Sequence, residues 1–283
     1  MARTPAVIAH RGFGGVFPEN TVGAAVAAST HPRSDGIEID VQSTADGGVV
    51  VFHDRDLGVR NDGEPGLTNL DGPVWEHSTE AVTSANVLDS EWTVPRLETL
   101  LSALPDGTHV IVELKNPGSE TIRPAASLDA ATLETQRSVW APFVERVVDA
   151  IDAVSVDLDV RLTSFCEAAV AEAAEYEYDT GLTCLAANAE AGIEFAERFD
   201  CAEVHASVDA VVGGYRGDRP NYDVVDASRD AGLDLVGWTA RTWHDVRRLD
   251  DAGVDAITAQ YPSLSLALET QESAPVFDGQ RLG

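Results

Sequence analysis

An α/β fold, closed as a single (β/α)8 barrel of parallel strands, is what this 283-residue sequence predicts. Three observations lead there. Short apolar runs of strand length alternate with amphipathic helical stretches from about residue 132 to residue 258. About eight such strands fit in the chain, which matches a TIM barrel better than an open doubly wound sheet. The first run, Ala6-Val7-Ile8-Ala9, opens into His10-Arg11-Gly12 with no GxGxxG behind it, so a dinucleotide-binding sheet lacks its phosphate turn.

Taken in order, the first strand ends at His10. A turn-rich loop then reaches Pro18-Glu19-Asn20-Thr21 and an Ala-rich helix to about Ser29, with Asn20 or Thr21 as its cap. In the strand Gly36–Val41, alternation puts Ile37, Ile39 and Val41 on one face and Glu38 and Asp40 on the other. Two carboxylates that close repel each other and resist desolvation unless a cation or donors compensate them. Asp46-Gly47-Gly48 turns the chain into Val49–Phe52, a hairpin partner that ends at His53-Asp54.

Residues 54–94 are rich in Gly, Asp, Pro and Asn and too long for a plain connection, so they form an inserted lobe, with helical hints only near 79–87. Helical spacing returns with Leu97, Leu100, Leu101 and Leu104. The next strand, Val110–Lys115, carries Glu113 and Lys115 on one face. Helices near 132–154, 166–176, 189–199, 222–231 and 242–252 then precede strands near 158–164, 180–185, 202–206, 233–238 and 254–258. The barrel domain spans 1–270, and residues 271–283 carry no pattern, as expected of a frayed tail. The polar features fall at the C-terminal ends of strands, the face on which barrels of this kind build active sites.

Charge narrows the partners. Net charge is -29, from 48 acidic against 19 basic residues, which argues against nucleic acid and anionic membrane surfaces. Lys115 is the only lysine. An acidic, lysine-poor chain rich in small apolar residues resembles the proteins of extreme halophiles, whose surface acids keep them hydrated in concentrated salt. Cys166, Cys184 and Cys201 are widely spaced, so buried free thiols are expected rather than a disulfide framework or a zinc site. No N-terminal signal segment and no run of about 20 apolar residues is present, so the expectation is a soluble, cytoplasmic protein without stable membrane association. Monomer and homo-oligomer both stay open.

Glu38, Asp40 and Glu113 give three carboxylates from two strands, a hard-oxygen set suited to one Mg²⁺ or Ca²⁺ rather than zinc. An ion there neutralises charge developing on a phosphate and orients an attacking hydroxyl. A lone histidine at a strand end is more often a satisfied core residue. His10 and His53, both at strand ends near these acids, suit general acid/base work, because imidazole titrates near neutral pH. Arg11 offers its fork to phosphate or to a salt bridge with Glu19. Lys115 neutralises phosphate or holds Glu113. Asn20 orients an acid, donates to substrate, or caps the helix.

As an ordered set, His10-Arg11-Gly12, Pro18-Glu19-Asn20-Thr21, Glu38-Ile39-Asp40, Asp46-Gly47, His53-Asp54, Pro95-Arg96-Leu97-Glu98, Glu113-Leu114-Lys115, Trp238-Thr239 and Gly253–Thr258 before Tyr261-Pro262 resemble the glycerophosphodiester phosphodiesterase family. The resemblance covers nearly the whole chain and is strongest in its first half. It implies a TIM barrel that hydrolyses a small glycerophosphodiester to glycerol phosphate and an alcohol, with one divalent cation, Mg²⁺ or Ca²⁺. It makes His10 and His53 the general acid and base, in an order the sequence leaves open. It makes Glu38, Asp40 and Glu113 the metal ligands. Arg11, Lys115 and Asn20 fall on the phosphate, and Trp238 lines the glycerol carbons. Water or the neighbouring glycerol hydroxyl is the nucleophile. Two positions depart from the family, which usually reads Trp-Thr-x-Asn and Thr-Asp-x-Pro near the last two strands. Here Arg241 stands at the Asn position and Gln260 at the Asp position. Arg241 at that position is expected to add affinity for an anionic head group.

Overall fold

The computed structural model describes residues 4–124, 127–214 and 220–269. Nine strands run through it: β1 (Ala6–His10), β2 (Gly36–Ser43), β3 (Val49–Val51), β4 (Thr108–Asn116), β5 (Leu158–Ser164), β6 (Asp179–Cys184), β7 (Glu203–Ser207), β8 (Asp234–Ala240) and β9 (Ala256–Ala259). β1, β2 and β4 to β9 pair in parallel, and β1 bonds both β2 and β9, which closes the barrel. Closure leaves this ring no unpaired edge. β3 is antiparallel and hairpins onto β2 over Val41–Ser43.

Register builds the site. His10 lies opposite Glu38 across β1 and β2, and Asp40 lies opposite Glu113 across β2 and β4. Ile37, Ile39, Val41, Val110, Val112 and Leu114 pack outward in one apolar cluster with Trp140, Phe143 and Val144 of the helix Ala130–Asp152. Strict alternation then leaves Glu38, Asp40 and Glu113 to the barrel interior. Between Leu114 and Asn116, β4 gains one residue over β2, so Lys115 sits at a bulge, a common device for re-aiming a side chain. On the other side of the barrel a second cluster joins Leu182, Ile193, Phe195, Val204, Leu235 and Leu249.

The opposite end of the barrel is plugged by charge. His205 Nε2 donates to Glu203 Oε1 at 2.6 Å, and Arg161 pairs with the other carboxylate oxygen. Burial alone would raise the Glu203 carboxyl, but His205 and Arg161 hold it down at about 2.

Several boundaries differ from expectation. β2 runs two residues beyond Val41, because Gln42 pairs with both β3 and Asn116 of β4 and Ser43 pairs with Val49 of the hairpin. The long helix spans Ala130–Asp152 with Pro142 inside it. A helix at Val208–Val212, capped by the Ser207 side chain, has no sequence signal because five residues are too few for a helical period. Within 54–94, one 3₁₀ turn (Val74–Glu76), one short helix (Thr79–Thr83) and isolated bridges surround an apolar cluster that includes Phe52, Leu57, Val74, Val82, Val87 and Val94. All three cysteines are buried free thiols. The expected tail, 271–283, lies outside the described residues. Among the described residues, no helix is long and apolar enough to cross a membrane.

Candidate active site

The loop after β1 holds the site together through an unusual backbone. Arg11 and Phe13 sit at φ 53° and 58°, in the left-handed region, with Gly12 at φ 72° between them. A Cβ on Gly12 would stand 2.8 Å from the Ala24 carbonyl carbon, so glycine alone fits. Left-handed backbone costs a non-glycine residue about 1–2 kcal/mol. Hydrogen bonds on both sides of Arg11 offset it: its N–H donates to Glu38 Oε2 at 3.0 Å, and its carbonyl accepts from the Asn20 N–H at 3.1 Å.

Oxygens of Glu38, Asp40 and Glu113 all lie within 4.8 Å of one another. Asp40 is 1% exposed and heavily compensated. Asn20 Nδ2 donates to its Oδ2 at 2.8 Å, Arg11 Nε stands 3.3 Å from the same oxygen, and Lys115 Nζ is 3.3 Å from Oδ1. Burial alone would raise the Asp40 carboxyl, but Lys115, His53 and Arg11 hold it well below the usual range. Lys115 Nζ also donates to Glu113 Oε1 at 2.7 Å. Glu38 goes the other way: burial, then the charges of Asp40 and Glu113, push its carboxyl well above its ordinary value. Its Oε1 is buried without a hydrogen-bond partner. Asn20 Oδ1 accepts from the Asp40 N–H, so Asn20 grips Asp40 at both ends, and Thr21 caps the helix Val22–Ser29.

The histidines have unlike partners. His10 Nδ1 meets the neutral amide oxygen of Gln260 at 2.7 Å. Burial and then the charge of Arg11 hold its ring down at about 3. His53 Nδ1 meets the Asp54 carboxylate at 3.0 Å. Burial alone would raise Asp54, but His53, the Asn61 N–H and Arg60 leave it below its ordinary value. Gln42 fixes the backbone on both sides of His53, its Nε2 donating to the carbonyls of Phe52 and Asp54 at 2.8 Å each.

Both histidines open onto a cavity of about 600 Å³, with Arg11, Arg60, Arg241, Gln260 and Tyr261 also in its wall. A second cavity of about 270 Å³, lined by Trp75, Lys115 and Asn116 among others, meets His53 from the far side. Arg60 reaches in from the segment 54–94 to Glu19 at 3.4 Å and Asp54 at 3.5 Å. Arg11 donates to Glu19 at 2.6 Å, the salt bridge weighed from sequence. Trp238 lines neither cavity wall. Its Nε1 donates to the His205 carbonyl at 3.1 Å, and its ring meets Phe165 edge to face, centroids 5.3 Å apart. Lys115 Nζ lies 5.5 Å from the Phe165 ring centre, so Phe165 links Trp238 to the lysine that pairs with Asp40 and Glu113.

The structure therefore brings together Glu38, Asp40, Glu113, Lys115, Arg11 and Asn20, with His10 and His53 beside them and Trp238 one ring removed. Sequence reasoning missed Gln42, Arg60 and Phe165. Gln42 had a signal, since it follows Glu38 and Asp40 on the same face of β2. Arg60 had none, being one polar residue in an irregular stretch.

The sequence model of the glycerophosphoryl diester phosphodiesterase family matches residues 10–264. An uncharacterized Bacillus subtilis protein, YqiK, is 28% identical over 94% of this chain and 99% of its own length. A glycerophosphodiester phosphodiesterase of Bacillus altitudinis is 35% identical over 39% of this chain and 45% of that protein. Among solved structures, an Oleispira antarctica phosphodiesterase in complex with the product sn-glycerol-3-phosphate superposes with a TM-score of 0.73, at 23% identity, over 94% of this chain and 98% of that one. That likeness carries the fold; the family match, running from the first barrel histidine past the last strand, carries the kinship. This chain belongs to the glycerophosphoryl diester phosphodiesterase family.

Proposed function

We propose that this phosphodiesterase hydrolyses glycerophosphodiesters to glycerol phosphate and an alcohol with the help of one divalent cation, and that His10 and His53 divide the proton transfers. The observation that carries the reading is the buried Glu38 Oε1, which lacks a partner while lying beside two further carboxylates. A buried acceptor without a donor is rare, and three hard oxygens at this spacing fit Mg²⁺ or Ca²⁺. Glu38, Asp40 and Glu113 would hold the ion. Bound there, it supplies positive charge to a phosphate oxygen.

The side chains do the rest. Arg11 and Lys115, already tied to the carboxylates, put two fixed cations beside the position of the phosphate. Asn20 orients Asp40. Trp238 backs the site through Phe165, a supporting rather than a lining role. His10, with Nδ1–H given to a neutral amide and its ring kept neutral by burial, presents Nε2 as a base. It takes the proton of water or of the neighbouring glycerol hydroxyl. His53, whose Nδ1–H is oriented by the Asp54 carboxylate, gives a proton to the departing alkoxide. We further propose that the protein works in concentrated salt, as its net charge of -29 suggests.

The test is release of glycerol phosphate from glycerophosphocholine in molar KCl, with Mg²⁺ or Ca²⁺ against excess EDTA. Release should require the metal and vanish in His10→Ala and His53→Ala. A folded, metal-loaded protein that releases nothing from any glycerophosphodiester refutes the reading. A cyclic phosphate intermediate would identify the glycerol hydroxyl as the nucleophile.

A further inference from the structure

The cations around the large cavity are not equally committed. Arg11 is paired with Glu19 and Asp40, Arg60 with Glu19 and Asp54, and Lys115, behind them, with Asp40 and Glu113. Arg241 lines the same cavity, yet among the described residues no carboxylate lies within ion-pair distance of its guanidinium. Its backbone is nevertheless fixed. The Arg241 N–H donates to Asp245 Oδ2 at 3.0 Å, the oxygen that also takes the Thr242 N–H at 2.9 Å and closes the capping box of the helix Trp243–Ala252. The preceding carbonyl, of Ala240, accepts from the Gln260 N–H at 3.0 Å, which ties Arg241 to the residue that holds His10.

Depth separates its role from that of Arg11. Glu38 and Asp40 are buried, whereas Arg241 is exposed at the cavity mouth. In a chain with 48 acidic residues, a guanidinium carried on a fixed backbone at the cavity wall, without an ion-pair partner among the described residues, favours an anion beyond the phosphate proposed at the carboxylate end. We propose that Arg241 is a specificity-determining residue that binds a second anionic group, borne by the alcohol half of the diester, so that diesters of a carboxylate-bearing alcohol are preferred over those of a neutral or cationic one. This rests on the hydrolysis proposed above and names the substrate class for the same site.

Steady-state rates on glycerophosphoserine, glycerophosphoglycerol and glycerophosphocholine, in wild type, Arg241→Asn and Arg241→Lys, test it. The ratio of kcat/KM for the serine diester over the glycerol diester should fall about tenfold in Arg241→Asn, mainly through KM, as for loss of one charge-assisted hydrogen bond. Arg241→Lys should restore most of the preference. The wild-type preference should narrow as KCl is raised, because the group is exposed and screened. An unchanged ratio, or an equal loss on all three diesters, overturns the proposal. Binding of the same diesters by calorimetry in EDTA reads the selectivity without turnover. Arg241-dependent binding of glycerophosphoserine by a protein that cleaves none of the three would sink the hydrolysis and still support the subsite.

Discussion

His10 Nδ1 stands 2.7 Å from the side-chain oxygen of Gln260, a residue 250 positions away in the chain. One ends β1 and the other follows β9, so the contact exists only because the barrel closes between those two strands. Gln260 is itself fixed, its N–H on the Ala240 carbonyl at 3.0 Å and its carbonyl on the Gly15 N–H at 3.2 Å.

Gln260 therefore orients the ring that the proposed division of proton transfers makes the base. Gln260→Ala frees the His10 ring and should lower kcat by about 100-fold, the scale of a misoriented catalytic group, with a smaller change in KM. Gln260→Glu puts a carboxylate on the same N–H. Burial and Arg11 now hold His10 at about 3, and a nearby negative charge raises it. Since the base must be unprotonated, the acid limb of the kcat/KM profile should move to higher pH. A profile in Gln260→Glu that coincides with wild type would count against the assignment.

The carboxylate cluster should make stability depend on the metal. A ligand that binds only the folded state stabilises by about 2.7 kcal/mol at one hundred times its Kd. For a chain of this size that raises Tm by several degrees, at roughly 2–4 °C per kcal/mol. Mg²⁺ or Ca²⁺ should give such a shift in wild type. Glu38→Gln removes the carboxylate that burial disfavours, so it should be at least as stable as wild type in EDTA and gain nothing from metal. Equal metal shifts in the two proteins, read by differential scanning fluorimetry, would show that Glu38 is no ligand.

At the barrel's other end, breaking the buried pairing of Glu203 should cost about 3–5 kcal/mol in Glu203→Gln, since Arg161 and His205 lose their anion. The pH sign follows from the depressed carboxyl, about 2 against its ordinary 4.5. Its contribution is complete above pH 4.5 and is lost as pH falls toward 2. Urea unfolding of wild type and variant at a series of pH values should converge toward the acid end. Parallel curves down to pH 2 would contradict it.

What the sequence could disclose was whatever obeys a short period. Glu38 and Asp40 were legible because alternation along β2 forces them off the apolar face that carries Ile37 and Ile39. Glu113 and Lys115 followed the same rule, although the bulge that seats Lys115 did not. Contacts made by closure were not legible: Gln260 was visible only as a departure from a pattern, and its bond to His10 depends on a ring of eight strands. Asn20 was left between three roles because capping and gripping Asp40 use the same kind of side chain, and only the fold gives the cap to Thr21. Arg60 comes from an irregular stretch whose path no periodicity sets, so its reach to Glu19 and Asp54 had no local signature.

The single lysine has a consequence for handling the protein. The only ε-amine in the chain lies in the innermost part of the site, 16% exposed, bonded to Glu113 and close to Asp40. Burial alone would lower its pKa, but those two carboxylates outweigh it and raise it. A protonated amine held by two carboxylates is a poor nucleophile, so acylating reagents that decorate the surface lysines of other proteins meet only this one slow amine, on the wall of the smaller cavity. Fast uptake of a second equivalent of label, beyond the terminal amine, then counts molecules in which those two pairings have broken.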